Sequence, residues 1–460
     1  MWTFTLAFLA LTALLAVVGF SAFTLPFLCF GSFDYGFSGH KLVSVTPEIA
    51  FFCLFFFRYW RLFVHMVAYR FYKPAPPLIS PRYTGQDVTV ICPTVEPWGD
   101  VFRMCCETVC LQFPHAFYIV VGREALVKPA EDVCAGLRVR FPKIDIQVHA
   151  SPSPGKRIQI DHVIPRIATE ITVLIDDHVF WARSGDFLTH GILPAFEDDH
   201  ISLVGTSKRV IIEKNQSLWK TFWNFIGATY LERHNFEIMA TTTIDGGIFA
   251  VSGRTCAIRS NILHDPEFRH RYLHETIGFL SFVSGELGAD DDNFTTRYML
   301  EKGWGVKIQS FPIETTLGWF PKHLLTSTRW ARTTFRSNPR TLLMKRAWLT
   351  QPWSVYGVYL AGMINFALVF DPLLVYLFRK TSWNSDWHDF RLLIVWILAS
   401  KLVKLWPYFR RHPEHLYLAP GYVVFTYVHS FIKLHALLTF YDIGWTGRST
   451  QQIHGPASTT

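Results

Sequence analysis

The stretch Ile171-Thr-Val-Leu-Ile-Asp-Asp-His178 decides how this chain is read. Its first five residues form an unbroken apolar and β-branched run, the mark of a strand buried on both faces as in parallel sheets. Side chains alternate along a strand, which sends Asp176 and His178 to one side and Asp177 to the other. Open α/β sheets bind ligands beyond the carboxyl ends of their strands. A carboxylate and an imidazole delivered there suit a divalent cation that holds a diphosphate. Solvated acids and a turn histidine at a strand end would read the same way, so the rest of the chain has to decide.

Upstream, Val88-Thr-Val-Ile-Cys-Pro-Thr-Val-Glu96 is a buried strand that breaks at Pro93 into a loop carrying Thr94 and Glu96. A second strand spans Phe117 to Val121 and is followed by Gly122-Arg123. A third, around Ile144 to His149, leads into Pro154-Gly-Lys-Arg157. Strands alternating with helical segments predict a mostly parallel sheet. Gly155-Lys156 is too short for a phosphate loop. Set before the Asp176/His178 strand, Lys156 can bring a cation to a diphosphate.

Downstream, Asp245-Gly-Gly-Ile-Phe-Ala-Val-Ser-Gly-Arg254 offers Ser252, Gly253 and Arg254. Small residues let backbone approach a bulky ligand, and they equally suit a turn between strand and helix. In Gly288-Ala-Asp-Asp-Asp-Asn-Phe-Thr-Thr-Arg297 three carboxylates, Asp290 to Asp292, stand beside a helix start, where acids complement the dipole. Crowded like charges also raise a carboxylate pKa, which helps one of them take a proton from a hydroxyl group. Thr326-Ser-Thr-Arg-Trp330 follows, with Arg332 and Arg336 beyond it. An Arg-Trp pair near a membrane also serves as a plain interfacial anchor.

Of the 460 residues, 50% are hydrophobic, 16% aromatic and only 17% charged. A soluble domain carries roughly 25% charged residues, so much of this chain meets lipid. Met1 to Phe30 has no charged side chain and is long enough to span a bilayer. It lacks a basic n-region and is too long for a signal peptide. A second apolar stretch runs from Ile49 to Tyr69, interrupted by Arg58 and Arg61, which either snorkel or face a polar channel. Arg70, Lys73 and Arg82 place its far end in the cytosol, which makes residues 1–73 a hairpin. Apolar character returns at Val355 to Phe378, at Leu392 to Leu405 and, broken by Pro420-Gly421, at Leu416 to Phe440. The last stretch reads as a kinked span, a re-entrant segment or two shorter pieces.

The expected organisation is therefore a membrane hairpin at 1–73, a cytosolic domain at 74–340, an amphipathic interface helix at 341–353, a membrane region at 354–442 and a tail at 443–460. The net charge of +8 fits a cytosolic membrane surface and an anionic nucleotide. No basic stripe interleaved with aromatics points to nucleic acid. The 8 cysteines show no paired spacing, and most sit in the cytosolic part, so neither zinc nor disulfides are assigned.

In order and spacing these segments resemble the membrane-embedded processive synthases of glycosyltransferase family 2, nearest to hyaluronan-synthase-like and fungal capsular-polysaccharide-synthase-like members. The similarity runs from about Val88 to Arg448. It implies a Rossmann-like α/β GT-A domain inserted between N- and C-terminal transmembrane helices. Gly155-Lys156-Arg157 matches the family's G-K-R, whose lysine contacts the donor diphosphate. Asp176-Asp177-His178 stands for the D-x-D metal motif, with Asp176 and His178 as ligands. Ser252-Gly253-Arg254 matches the segment beside the acceptor sugar. Asp290-Asp291 falls on the family's acidic pair, and Arg297, six residues after Asp291, makes Asp291 the base in preference to Asp292. Thr326 to Trp330 falls on Q-x-x-R-W, where Arg329 would hold the diphosphate and Trp330 would stack on the acceptor. Gly444-Trp-Thr-Gly-Arg448 looks like a C-terminal signature that lies near the cytosolic active site, which implies an even number of crossings.

The sequence departs from that pattern at three places. His178 replaces the second aspartate and favours Mn²⁺ over Mg²⁺. Thr326 replaces the glutamine, and Val121-Gly122 stands where an acid for the donor base is common, leaving Thr94 and Glu96 as candidates there. The implied activity is inverting transfer from a UDP-sugar to a growing β-linked polysaccharide, at the plasma membrane by analogy. Two other readings remain open at this level. One is a ceramide or polyprenyl-phosphate acceptor; the other is a non-catalytic transporter or scaffold.

Overall fold

The computed structural model describes residues 46–213, 215–277, 286–318, 320–384 and 386–442. The leading apolar stretch before residue 46 and the Gly444 to Arg448 segment lie outside the described residues.

Helix α1 (Pro47–Phe71) begins at Thr46, whose side chain caps Ile49 N, with Pro47 in the first turn. A sheet follows, built on β1 (Val88–Thr94), β2 (Ala116–Val121), β3 (Asp145–Ala150) and β4 (Ile171–Ile175). The first three are joined through helices α2 (Gly99–Cys110) and α3 (Val127–Arg140), and α4 (Lys156–Val163) leads from β3 towards β4. These four strands pair in parallel in the order β3-β2-β1-β4. Val88, Val90 and Cys92 of β1 enter one core with α2 and α3, while Ile91 enters the other with Ile160 and Val163 of α4. Burial on both faces is why these strands are continuous apolar runs instead of alternating ones.

The second half of the sheet differs from the expected mostly parallel order. Beyond the short β5 (Val179–Phe180), strand β6 (Ile201–Val210) leads into the long helix α5 (Leu218–Asp245). Strand β7 (Thr255–Arg259) then returns between β4 and β6, antiparallel to both. Helices α6 (Pro266–Leu273) and α7 (Asp291–Lys302) precede β8 (Gly305–Thr315), which runs parallel to β6 and antiparallel to β5. The result is a mixed eight-stranded sheet, β3-β2-β1-β4-β7-β6-β8-β5.

Helix α8 (Lys322–Leu342) continues through Pro339, and the chain breaks at Leu343 before a short helix, Lys345–Thr350. The predicted interface helix at 341–353 is thus three pieces: the end of α8, the helix Lys345–Thr350 and the start of a turn at Pro352–Ser354. Among the described residues two apolar runs, Pro47–Phe71 and Trp387–Arg411, are long enough to cross a membrane. The second opens with helix α10 (Trp387–Ser400), which follows α9 (Ala367–Lys380). Residues 352–364 and α9 meet at a bend of 93°. At that bend Lys433 Nζ donates to the Asn365 carbonyl at 3.1 Å, and Arg58 donates to the Asn365 side chain. Backbone groups freed at a bend and buried between helices need such partners. Arg58 also pairs with Asp371 at 3.1 Å, and Arg61 donates to the Gly357 carbonyl at 2.8 Å. Both arginines therefore turn inward to neighbouring helices.

The last described helix, α11 (Ala419–Leu438), is continuous. The break expected at Pro420-Gly421 does not occur because proline sits in the first turn, where its missing N–H costs nothing. A Cβ on Gly421 would lie 2.7 Å from the Phe222 ring, so glycine lets α11 approach α5. The seven described cysteines are free thiols.

Candidate active site

The carboxyl ends of β1 and β4 and the start of α7 converge on one cluster. Lys156 Nζ, at the first position of α4, is 2.8 Å from Asp176 Oδ1 and 3.1 Å from Asp291 Oδ2. It also donates to the Gly253 carbonyl at 3.1 Å. Four segments far apart in sequence thus meet on one ammonium. Burial opposes charge on Lys156, but Asp176 and Asp291 outweigh it and hold its pKa well above the ordinary lysine value. Burial likewise opposes charge on Asp176, and Lys156, His178 and Arg254 bring its pKa below the usual carboxylate range.

The chain leaves β4 at Ile175, and Asp176 to His178 form a turn in which Val179 N donates to the Asp176 carbonyl. Strand alternation therefore stops before the acids. Asp177 is buried and accepts from Thr94 Oγ1 at 2.7 Å, while His178 Nδ1 faces Asp177 Oδ1 at 3.1 Å. That contact holds the imidazole through Nδ1, and Nε2 is the nitrogen it leaves for a metal. The carboxylate of Asp176 and this imidazole, both partly exposed at a strand end, are a donor set that a first-row divalent ion accepts. Thr94 is buried, with its hydroxyl given to Asp177 and accepting from Glu96 N at 3.1 Å. Glu96 is exposed at the rim.

Asp290 occupies the N-cap of α7 with left-handed backbone, φ 60°. Its carboxylate is taken by Arg336 through Nε at 2.7 Å and Nη2 at 3.0 Å, and by Thr333 Oγ1 at 2.6 Å. The two acids assigned together by sequence thus face different partners: Asp291 faces Lys156 and Asp290 faces α8. Asp292 accepts from Asn293 N at 2.8 Å. Burial, then the charges of Asp291 and Asp290, push the Asp292 carboxyl up. Gly253 closes the cluster from the other side: a Cβ there would lie 2.8 Å from Lys156 Nζ and 3.4 Å from Asp291 Oδ2.

Arg254 lies over the Trp330 ring at 5.1 Å, and Ser252 Oγ accepts from Arg254 N at 3.4 Å. Trp330 stacks on Tyr230 of α5 with centroids 4.8 Å apart. Burial, followed by opposing effects of Asp176 and Arg329, leaves the Arg254 pKa lowered. A cavity of about 550 Å³ opens at the ends of β2 and β3, lined by Gly122, Arg123 and Ser151 to Pro154.

Several participants escape the sequence reading. Tyr230 has no motif to mark it. Arg336 lies seven residues after Arg329, on the same face two helical turns later, which is a readable signal. Arg157, beside the assigned lysine, is buried and donates to Glu275 at 2.7 Å and to the Ala289 carbonyl at 2.8 Å. Glu275 also pairs with Arg297 and Arg340. Arg297 therefore ties α7 to this hub.

Residues 101–345 match the family model described as glycosyltransferase-like family 2. A type 2 glycosyltransferase of Gibberella zeae is 36% identical over 434 residues, covering 91% of this chain and 78% of its own. One from Pyricularia oryzae is 35% identical, covering 88% and 83% respectively. The solved structure of the mannosyltransferase PcManGT from Pyrobaculum calidifontis, in complex with GDP-Man and Mn²⁺, superposes with a TM-score of 0.53 at 13% identity. It covers 85% of this chain and 99% of its own, a likeness in fold of the GT-A kind.

Proposed function

The chain belongs to glycosyltransferase family 2, and from that premise we propose that it is an inverting, UDP-sugar-dependent hexosyltransferase that elongates a β-linked polysaccharide and passes it between its own membrane helices. The observation that carries this reading is Lys156 set between Asp176 and Asp291. One carboxylate belongs to the donor side and the other to the acceptor side, so a single cation aligns both halves of a transfer.

Asp176 and His178 would hold a divalent ion, Mn²⁺ in preference to Mg²⁺, which supplies charge to the donor diphosphate when bound. Lys156 and Arg329 neutralise the charge that grows on the leaving diphosphate, and preorganised charge of this kind is the largest catalytic term. The nucleoside would occupy the cavity over β2 and β3, lined by Gly122, Arg123 and Ser151 to Pro154, with Thr94 and Glu96 as the residues assigned to its base. Asp291 takes the proton of the acceptor hydroxyl. The acceptor oxygen then bonds to the anomeric carbon as the bond from that carbon to the diphosphate oxygen breaks, which inverts the centre. Ser252, Gly253, Arg254 and Trp330 frame the acceptor. Asp290 acts as a positioning residue through Arg336, setting the start of α7.

The same reading makes the protein a multi-pass membrane protein with a cytosolic catalytic domain, at the plasma membrane. Its test is UDP release by the protein in lipid nanodiscs across a panel of UDP-sugars with Mn²⁺ or Mg²⁺, beside Asp291→Asn. Release with one sugar, lost in Asp291→Asn, is expected, followed by a polymer on sizing. A lipid carrying one sugar would replace the polysaccharide with a lipid acceptor. Release that Asp291→Asn leaves intact would remove Asp291 as the base.

A further inference from the structure

The apolar run that ends at Arg411 is joined to helix α11 by Pro413–Leu418, a tight three-residue-per-turn helix that starts on His412. Pro413 supplies the fixed φ of a first helical position, and His415 N donates to the His412 carbonyl at 3.1 Å. At three residues per turn, positions 412 and 415 lie above one another on the same side. Among the described residues, His412, Glu414 and His415 are the one group of three metal-type donors that comes together. One donor atom of each lies within 4.8 Å of the other two. None of the three contacts Lys156, Asp176 or Asp291, so the group stands apart from the transferase cluster.

Each member is presented in the form a metal needs. His412 Nδ1 faces Glu414 Oε1 at 3.1 Å. Two ligands of a tetrahedral Zn²⁺, each about 2.0–2.2 Å from the ion, stand about 3.4 Å apart, close to the separation this pair already has. His415 is 6% exposed, and its Nδ1 lies 2.6 Å from the hydroxyl oxygen of Tyr408, itself 2% exposed. Nε2 of that buried ring makes no hydrogen bond among the described residues. The tautomer with its proton on Nδ1 donates to the Tyr408 oxygen and leaves the Nε2 lone pair for an ion, the way metal-bound imidazoles are held. Burial lowers the His415 pKa, which keeps the ring neutral near pH 7. The Glu414 backbone N–H, then His412, lower the Glu414 pKa and keep its carboxylate ionised. A plain surface pair of His412 and Glu414 would have no use for the buried imidazole and its tyrosine.

We propose that His412, Glu414 and His415 bind a Zn²⁺ ion, with water in the fourth position and Tyr408 orienting His415. Two imidazoles and one carboxylate suit this ion better than Mg²⁺ or Ca²⁺, which take oxygen ligands. Binding displaces the proton between His412 and Glu414 and draws the three donors together. The ion locks a turn that packs on α5: Arg411 pairs with Glu232 of α5 at 2.6 Å, and the His415 ring stands 6.1 Å from Phe225. Because α5 also carries Tyr230, the ion steadies a helix of the acceptor face without entering the chemistry.

The test uses the untagged, metal-free full chain in nanodiscs. Zn²⁺ alone is titrated calorimetrically, and Co²⁺ alone is followed by its visible absorption. The chain is expected to bind one Zn²⁺ that Asp176→Asn leaves in place, to give four-coordinate Co²⁺ bands that Zn²⁺ displaces, and to melt higher with Zn²⁺. His412→Asn together with Glu414→Gln, on side chains 29% and 60% exposed, should abolish all three and leave the metal-free melting temperature unchanged. Tyr408→Phe should weaken Zn²⁺ roughly 10- to 100-fold, the usual cost of losing a group that orients a ligand. If Tyr408→Phe does not fold, the His412 and Glu414 substitutions still decide. No Zn²⁺ bound by the parent chain, binding that those two substitutions leave intact, or several weak equivalents with no change in melting (an adventitious ion only) would each overturn the site.

Discussion

Lys156 Nζ lies 3.1 Å from Asp291 Oδ2 while it holds Asp176 Oδ1 at 2.8 Å. The ammonium keeps two acids from repelling one another across the space where a sugar diphosphate would meet its acceptor. Replacing it with methionine keeps the stem and removes the charge. Lys156→Met should lower kcat by about 10²- to 10³-fold, the cost of deleting one preorganised charge partner. It should also weaken donor binding, because Asp176 loses the partner that keeps it ionised against burial. Steady-state UDP release and nucleotide titration check this. A variant with near-parent turnover would show that Lys156 only props the fold.

Gly253 touches the same ammonium from behind. A methyl group there would stand 2.8 Å from Lys156 Nζ, so the end of that side chain must shift, while Asp291 Oδ2 at 3.4 Å stays in ordinary contact. Lys156 has little room to yield, since Asp176 and the Gly253 carbonyl already fix it. Gly253→Ala should therefore displace Lys156 rather than unfold the chain. A shift approaching 1 Å at a reacting centre costs up to roughly 10²-fold in rate. Kinetics together with a melting curve decide it: lost turnover at parental stability is expected, and parental kinetics would contradict the crowding.

Asp290 and Asp291 are neighbours with opposite signatures. Asp290 and Arg336 form a two-point ion pair in which the side chains are 8% and 2% exposed. Breaking a buried pair by neutralising one partner costs about 3–5 kcal/mol. Asp290→Asn should accordingly lower Tm and turnover together. Asp291→Asn should keep Tm and lose about 10²- to 10⁴-fold in turnover, the usual share of a general base. The reverse pattern, with stability lost at Asp291 and turnover alone lost at Asp290, would exchange the two roles.

Some of this arrangement was legible in the sequence and some was not, for physical reasons. Buried strands announce themselves, so Val88 to Thr94 and Ile171 to Ile175 were readable as continuous apolar runs. Asp176 and Gly253 were readable too, because each adjoins the end of a buried strand, whereas Lys156 and Asp291 open the helices α4 and α7. Strand order was not: β7 enters between β4 and β6 because α5 carries the chain back, a tertiary matter that periodicity does not encode. Strand alternation alone does not orient His178, because the strand ends at Ile175 and a turn sets the side chains after it. Pairings across long separations were equally silent. Arg157 reaches Glu275 across 118 residues and Arg336 reaches Asp290 across 46. Pro420-Gly421 looked like a helix breaker, although it lies where a helix starts.

Lys208 of β6 sets a pH dependence that a substitution can isolate. It is 3% exposed, and its Nζ lies 2.6 Å from His234 Nδ1. Burial, helped by Arg254 and opposed by Asp292, lowers Lys208 from 10.5 to about 7. The unfolded chain keeps that proton until far higher pH than the folded one does. Between about pH 7 and about pH 10 the unfolded state therefore binds more protons, and the lysine's contribution makes folding stability rise with pH in that window. Below about pH 7 both states carry the proton and the full burial penalty remains. Lys208→Met removes the group, so the stability difference between variant and parent should be largest in the variant's favour near pH 6.5 and shrink steadily towards pH 10. Denaturant midpoints measured for both proteins across that range, in the same lipid, supply the comparison. A difference that stays flat from pH 6.5 to pH 10 would mean that Lys208 keeps an ordinary lysine pKa inside the fold.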